Sequence, residues 1–153
     1  MYIVNMKTQN LHQLIWMSRP LMQAAEACVE AGLGGTNLTV RMRAVLEILA
    51  KYGAQTVPDI ATKLEIKRQY VQVMCNETLA SGLVEQQANP RHKRSPILAL
   101  TDQGRSLIGD IIAREMSLVD EIGADLSKDD IAIALRVMLA VTNNLKNRIG
   151  EQE

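Results

Sequence analysis

The stretch Gly82–Gly104, "GLVEQQANPRHKRSPILALTDQG", decides how this chain is to be folded. Two brief β-prone runs, "LVEQQANP" and "SPILALT", flank a row of charge in which Arg91, His92, Lys93 and Arg94 stand between Pro90 and Pro96. Proline lacks a backbone donor and fixes φ, so the charged segment is neither a helix interior nor a central strand. It reads as an exposed loop at the tip of a β-hairpin. Such a loop is either a solvated turn or a surface that meets phosphate, and the flanking residues decide between the two.

Upstream, "KRQYVQVMCNETLASG" predicts a helix over about Lys67 to Ser81 that stops at Gly82, where a left-handed cap favours glycine. A shorter helix begins near Pro58 in "PDIATKLEI", with Ile60, Ala61 and Leu64 inward. Before it, Thr39 is a candidate N-cap for a helix carrying Met42, Val45, Leu46, Leu49 and Ala50 on one stripe and ending at Tyr52 and Gly53. Residues from about Gln9 to Leu33 repeat Leu11, Leu14, Ile15, Leu21, Met22, Ala25, Cys28 and Val29 at helical spacing. Pro20 interrupts that region and implies either a kink or two helices.

Downstream, Thr101 opens a long helix through Leu107, Ile108, Ile111, Ile112, Met116, Val119 and Ile122. Ser127 with Asp130 resembles a capping box ahead of a last helix to about Arg148. The order is mainly α with a small β-hairpin wing: a winged helix-turn-helix with N- and C-terminal helices around it. The last helix is apolar on two sides, with Ile131, Ala134, Leu135, Met138, Val141 and Leu145 on one stripe and Ile133, Val137 and Leu139 on another. A chain this short has too little other helix to cover both, so a partner subunit is expected.

At 153 residues, with 47% hydrophobic and 22% charged residues, the chain is a globular domain with an attached helical region. Phe is absent and aromatics make up 3%, so aliphatic and Met side chains must fill the interior. Formal net charge is zero, but Thr36–Thr101 holds nine Lys or Arg against five acids, a local +4 offset by acidic flanks. Cys28 and Cys75 have no zinc-ligand spacing and read as free buried thiols; neither a metal nor a cofactor is expected. His12 and His92 are the only histidines, and neither a nucleophile constellation nor a Gly-rich phosphate loop accompanies them, so no enzyme is expected. Without a secretory leader or a long apolar run, the chain reads as cytoplasmic with no membrane partner.

On the helix before the hairpin, Val71, Met74, Cys75 and Thr78 share one face and Gln69, Gln72, Val73 and Asn76 share another. The first set is expected to be packed and the second exposed. Gln and Asn amides bond bidentately to adenine edges, Arg68 reaches guanine or phosphate, and Lys67 sits at the helix start where the dipole favours anions.

These features together resemble the multiple antibiotic resistance regulator (MarR) family of winged-helix transcription factors, over about Leu38 to Leu107. The resemblance rests on "LTVRMRAVLEILAKYGAQTVPDIATKLEIKRQYVQ", on "GLVEQQANPRHKRSPILALTDQGR", and above all on "LTDQG", which looks like the family's L-T-x-x-G leading into a long dimer helix. Two departures stand out: His92 occupies the wing position where many members carry Asp, and Thr78 stands where leucine is usual.

The resemblance implies a homodimer, with residues 1–35 and 102–153 forming a dimerisation region around a DNA-binding domain at 36–101. Two recognition helices would enter successive major grooves of a pseudo-palindromic double-stranded operator. In the wings, Arg91 or Arg94 would enter a minor groove while His92 and Lys93 neutralise phosphates. It further implies gene regulation, usually repression, released by a small aromatic or anionic effector or by thiol oxidation. Trp16, Met17, Arg19 and Met22 are the candidate pocket for that effector, with Arg19 meeting a carboxylate. The rival readings are a thiol-oxidation sensor of the same fold and a winged-helix module that binds protein instead of DNA.

Overall fold

A computed structural model describes residues 5–151; residues 1–4, part of the N-terminal stretch read for a leader, and 152–153 lie outside the described residues. The elements run α1 (Met6–Gly32), α2 (Val40–Tyr52), α3 (Val57–Leu64), α4 (Arg68–Ala80), β1 (Val84–Gln87), β2 (Ile97–Leu100), α5 (Asp102–Ile122) and α6 (Lys128–Gly150). This is the expected winged helix: helices around a two-stranded antiparallel hairpin. The chain forms two compact units, Ala24–Ser117 and the pair Met1–Gln23 with Leu118–Glu153.

All buried hydrophobic residues lie between Leu33 and Ile111, within the first unit. Leu46, Ile60, Leu98, Ile108, Val45 and Val71 are enclosed completely, and no aromatic ring joins them. Each such side chain contributes about 1.5 to 3 kcal/mol on burial, so an aliphatic core is sufficient here. The buried Thr78 hydroxyl donates to the Cys75 carbonyl at 2.7 Å, which removes the penalty of a polar group where the family favours leucine.

Local chemistry sets the helix ends. Thr39 Oγ1 accepts from the Met42 N–H (3.2 Å) to start α2, and Gly53, at φ 78°, ends it. Thr56 and Asp59 form a reciprocal capping box that starts α3 together with Pro58 in its first turn. At the end of α4, the Leu83 N–H reaches the Thr78 carbonyl (3.2 Å) and the Gly82 N–H reaches that of Leu79 (3.1 Å), with Gly82 at φ 74°. That double bond pattern is a Schellman cap, and it turns the chain directly from α4 into β1.

One open alternative is decided, and two details differ from the sequence-based expectations. Helix α1 continues through Pro20, which removes one backbone bond without ending the helix. Ala50 is exposed, and Ile48 packs against the core in its place. Cys28 is exposed, although Val29 beside it on the same stripe packs against the core.

In the second unit the two ends behave alike. Neither α1 nor α6 has a buried residue, and Ile122, Leu135, Leu139 and Leu145 are 70%, 58%, 56% and 50% exposed. Such a run of bare apolar side chains exceeds what a monomer ordinarily shows to water.

Hairpin and α5 meet at a tight junction. Thr101 donates its N–H to the Leu83 carbonyl (3.1 Å) and its hydroxyl to the Gly82 carbonyl (2.8 Å), and its Oγ1 accepts from the Gly104 N–H (3.1 Å). Gly104 sits so close that an added Cβ would lie 2.0 Å from the Leu83 carbonyl oxygen, whereas a Cβ on Gly109 would meet nothing within 4 Å. Gly104→Ala is therefore expected to destabilise the fold by about 1 to 3 kcal/mol through overpacking against backbone. Gly109→Ala, in the same helix, is expected to be neutral or to stabilise by about 0.5 to 1 kcal/mol. Denaturant titration of the two variants side by side checks both signs.

Candidate nucleic-acid interface

Helix α4 is presented by what packs beneath it. Val71, Met74, Cys75 and Thr78 are buried, which leaves Gln69, Gln72, Val73 and Asn76 exposed on the opposite side, as the helical spacing implies. Lys67 is the N-cap residue and makes no side-chain cap bond, while its carbonyl accepts from the Tyr70 N–H (3.1 Å) and the Val71 N–H (3.2 Å). The single acid of α4, Glu77, is paired with Arg41 of α2 at 3.1 Å. That pairing keeps negative charge away from the exposed face.

The hairpin stands beside this helix because β2 is held on both edges. Val84 pairs with Leu100 and Gln87 with Ile97, while Leu98 exchanges both backbone bonds with Gln55 (2.8 and 3.0 Å) in the connection before α3. Asn89 shapes the loop between the strands. Its Nδ2 donates to the Ser95 carbonyl (2.9 Å), its Oδ1 accepts from the Arg91 N–H (3.1 Å), and its carbonyl accepts from the His92 N–H (3.2 Å). One side chain thus closes the loop across its base.

Between α4, the α2–α3 connection and the wing runs a groove of about 790 Å³. Arg68, Gln72, Arg91, His92 and Arg94 all line it, and Asp59 is the one acid among its lining residues. The Asp59 carboxylate already accepts from the Thr56 N–H at 3.3 Å. Lys67, Gln69, Val73, Asn76 and Lys93 are exposed but outside the lining. The groove is therefore cationic at the wing side and amide-bearing at the helix side, the combination suited to a polyanion with readable hydrogen-bonding edges.

None of the other candidates is among the lining residues of this groove. Trp16, Met17, Arg19 and Met22 are exposed on α1, where the Arg19 guanidinium lies 5.7 Å from the Trp16 ring centroid and the Trp16 N–H donates to His12 Nε2 at 3.0 Å. A shallow depression of about 260 Å³ on α1 includes Met17 with Asn10, Gln13 and Leu14. Burial pushes the Cys75 thiol up to about 11, so it carries almost no thiolate at neutral pH. Among the described residues no cluster of three metal-ligating side chains occurs, and no helix is long and apolar enough to cross a membrane.

Asn89 and the Arg43–Glu115 pair escape sequence reasoning. Arg43 of α2 donates Nε to Glu115 Oε1 of α5 at 2.5 Å, bonds Glu115 again through its terminal nitrogen, and reaches Glu47 at 2.7 Å. Its side chain is 14% exposed, and the Glu115 hydrogen bonds, outweighing partial burial, raise its pKa further. Nothing in the sequence links positions 43 and 115. Asn89 had a local signal, since Asn two residues before the loop tip is a frequent side-chain-to-backbone turn former.

Comparison with known proteins agrees with this geometry. A model of the MarR family matches residues 36–95. The crystal structure of a MarR family transcription regulator is 32% identical, covers 95% of this chain and 96% of its own, and superposes with a TM-score of 0.87. This chain belongs to the MarR family of transcription regulators. An uncharacterised protein of Mycobacterium tuberculosis is 43% identical over 61 residues, which is 40% of this chain and only 43% of that relative's length. Streptococcus pneumoniae FabT, solved in complex with DNA, shares the fold at a TM-score of 0.71 with 16% identity, over 93% of this chain and 99% of its own.

For the wing of this MarR-family chain, Asn89→Ala is expected to lower global stability by only about 1 kcal/mol, because the loop is surface-exposed. Amide hydrogen exchange at Arg91, His92 and Ser95 should accelerate while exchange in α2 stays unchanged. A protected loop in the variant would show that Asn89 is not the brace.

Proposed function

We propose that this chain acts as a homodimer that binds double-stranded DNA sequence-specifically and regulates transcription, as a repressor released by a small effector. The observation that carries the DNA reading is the shared groove: Arg68 and Gln72 of α4 face Arg91, His92 and Arg94 of the wing across one cavity. In this reading α4 enters the major groove, where Gln69, Gln72, Val73 and Asn76 meet base edges and Lys67 and Arg68 meet phosphate. The wing follows the backbone, with Arg91 or Arg94 in the adjacent minor groove and His92 and Lys93 on phosphates. That Streptococcus pneumoniae FabT, which shares this fold, was solved in complex with DNA supports the choice of partner.

The dimer rests on a separate observation, the bare apolar surface of α1, the end of α5 and α6. A second copy of the chain is the partner that brings two α4 helices to one duplex, and DNA half-sites about 10 bp apart would mirror its two-fold axis. Residues 1–35 and 102–153 would then hold the dimer and 36–101 the DNA. The effector step is carried by the family resemblance, with Trp16, Met17, Arg19 and Met22 as its candidate contacts.

Two measurements test the proposal. Sedimentation at micromolar concentration should give about twice the 16.9 kDa chain mass; a single chain at every concentration would remove the two-fold geometry. Arg94→Ala should weaken specific duplex binding by about 1 to 3 kcal/mol and flatten the dependence of log K on log salt, by about 0.9 for each phosphate that is no longer neutralised. Affinity without salt dependence would instead indicate a module that binds protein.

A further inference from the structure

On the exposed face of α4 two amides are tied together: Gln72 Nε2 donates to Asn76 Oδ1 at 3.0 Å, one helical turn apart. A free glutamine carboxamide has two N–H donors and one oxygen, and by turning over it can offer either two donors or a donor beside an acceptor. Here one N–H is already engaged. What remains to Gln72 is one donor and one acceptor along the outer edge of the carboxamide.

That remainder has a definite complement. Adenine shows the major groove an N7 acceptor and an N6 amino donor, so one bond of each sense can form with Gln72. Guanine shows two acceptors, O6 and N7, and would set O6 against the glutamine oxygen unless the bond to Asn76 were broken. Val73 lies on the same face and is 51% exposed although apolar. In the major groove the apolar group available to such a side chain is the thymine methyl.

We infer that the Gln72–Asn76 pair makes α4 a reader of adenine, with Val73 against a neighbouring thymine methyl, so that each half-site is specified through A·T pairs under this helix. In this pair Asn76 positions Gln72 through the bond to its Oδ1, beside any base contact of its own, and Gln72 and Val73 touch the A·T pairs. The inference rests on the DNA-binding reading above and adds the base identity that reading lacks.

The test begins with selection of bound duplexes from a random library by the full-length protein, followed by titration of the selected duplex. An A·T pair is expected at one fixed position of each half-site, and Gln72→Ala should lose preference at that position while keeping the others. Replacing that adenine by 7-deazaadenine should cost the unaltered protein about tenfold in affinity and cost Gln72→Ala little more. Replacing the neighbouring thymine by uracil, which lacks the methyl, should weaken the unaltered protein but not Val73→Ala. All three side chains are exposed, and melting curves confirm that the variants stay folded. A G·C pair at the position lost in Gln72→Ala, or indifference to 7-deazaadenine, overturns the adenine assignment. Salt-dependent binding without any base preference overturns it too while leaving DNA binding standing, and absence of duplex binding overturns both.

Discussion

The relation between α4, the wing and α5 depends on the junction at Thr101 and Gly104, where helix and hairpin approach within backbone contact. Thr101 satisfies the carbonyls of Gly82 and Leu83 with its hydroxyl and N–H, then turns the same oxygen to cap α5. Gly104 permits the approach because it has no Cβ to collide with Leu83. The Schellman cap at Gly82 lies immediately before the junction, so the last turn of α4, the first residue of β1 and the first turn of α5 share a few bonds. A displacement at any one of them would propagate to the direction in which the exposed face of α4 points. The "LTDQG" signature is therefore a geometric requirement before it is a family label.

Much of this was legible in the sequence because it follows from short-range rules. Periodicity alone separated the buried face of α4, with Val71, Met74, Cys75 and Thr78, from the exposed one. Pro90 and Pro96 marked the limits of the wing loop, and Thr39 and Gly53 the ends of α2. The proposed base and phosphate contacts were legible only as chemistry, since amides and guanidinium groups serve solvent equally well until another element stands opposite them. The cavity shared with the wing supplies that element.

What was not legible has physical causes of two kinds. The Arg43–Glu115 bonds join residues 72 apart, and a single sequence carries no signal for such a pair. Cys28 illustrates the other kind. Its apolar stripe says that the side prefers to be covered, but periodicity does not say which residues of the stripe the core reaches, and here it reaches Val29 and leaves Cys28 exposed. The same logic explains why α6 can be apolar on two sides and still have no buried residue of its own.

Arg43 has a consequence for how the first unit can deform. Its guanidinium is held between Glu47 and Glu115 at a place that water scarcely reaches, so the pairing must be kept or the charge stranded. Sliding α2 along α5 would part Arg43 from Glu115, whereas Glu47, one turn along the same helix, would stay with it. The contact therefore ties α5 to α2 through Glu115, and its loss would leave that carboxylate, 23% exposed, without its cation.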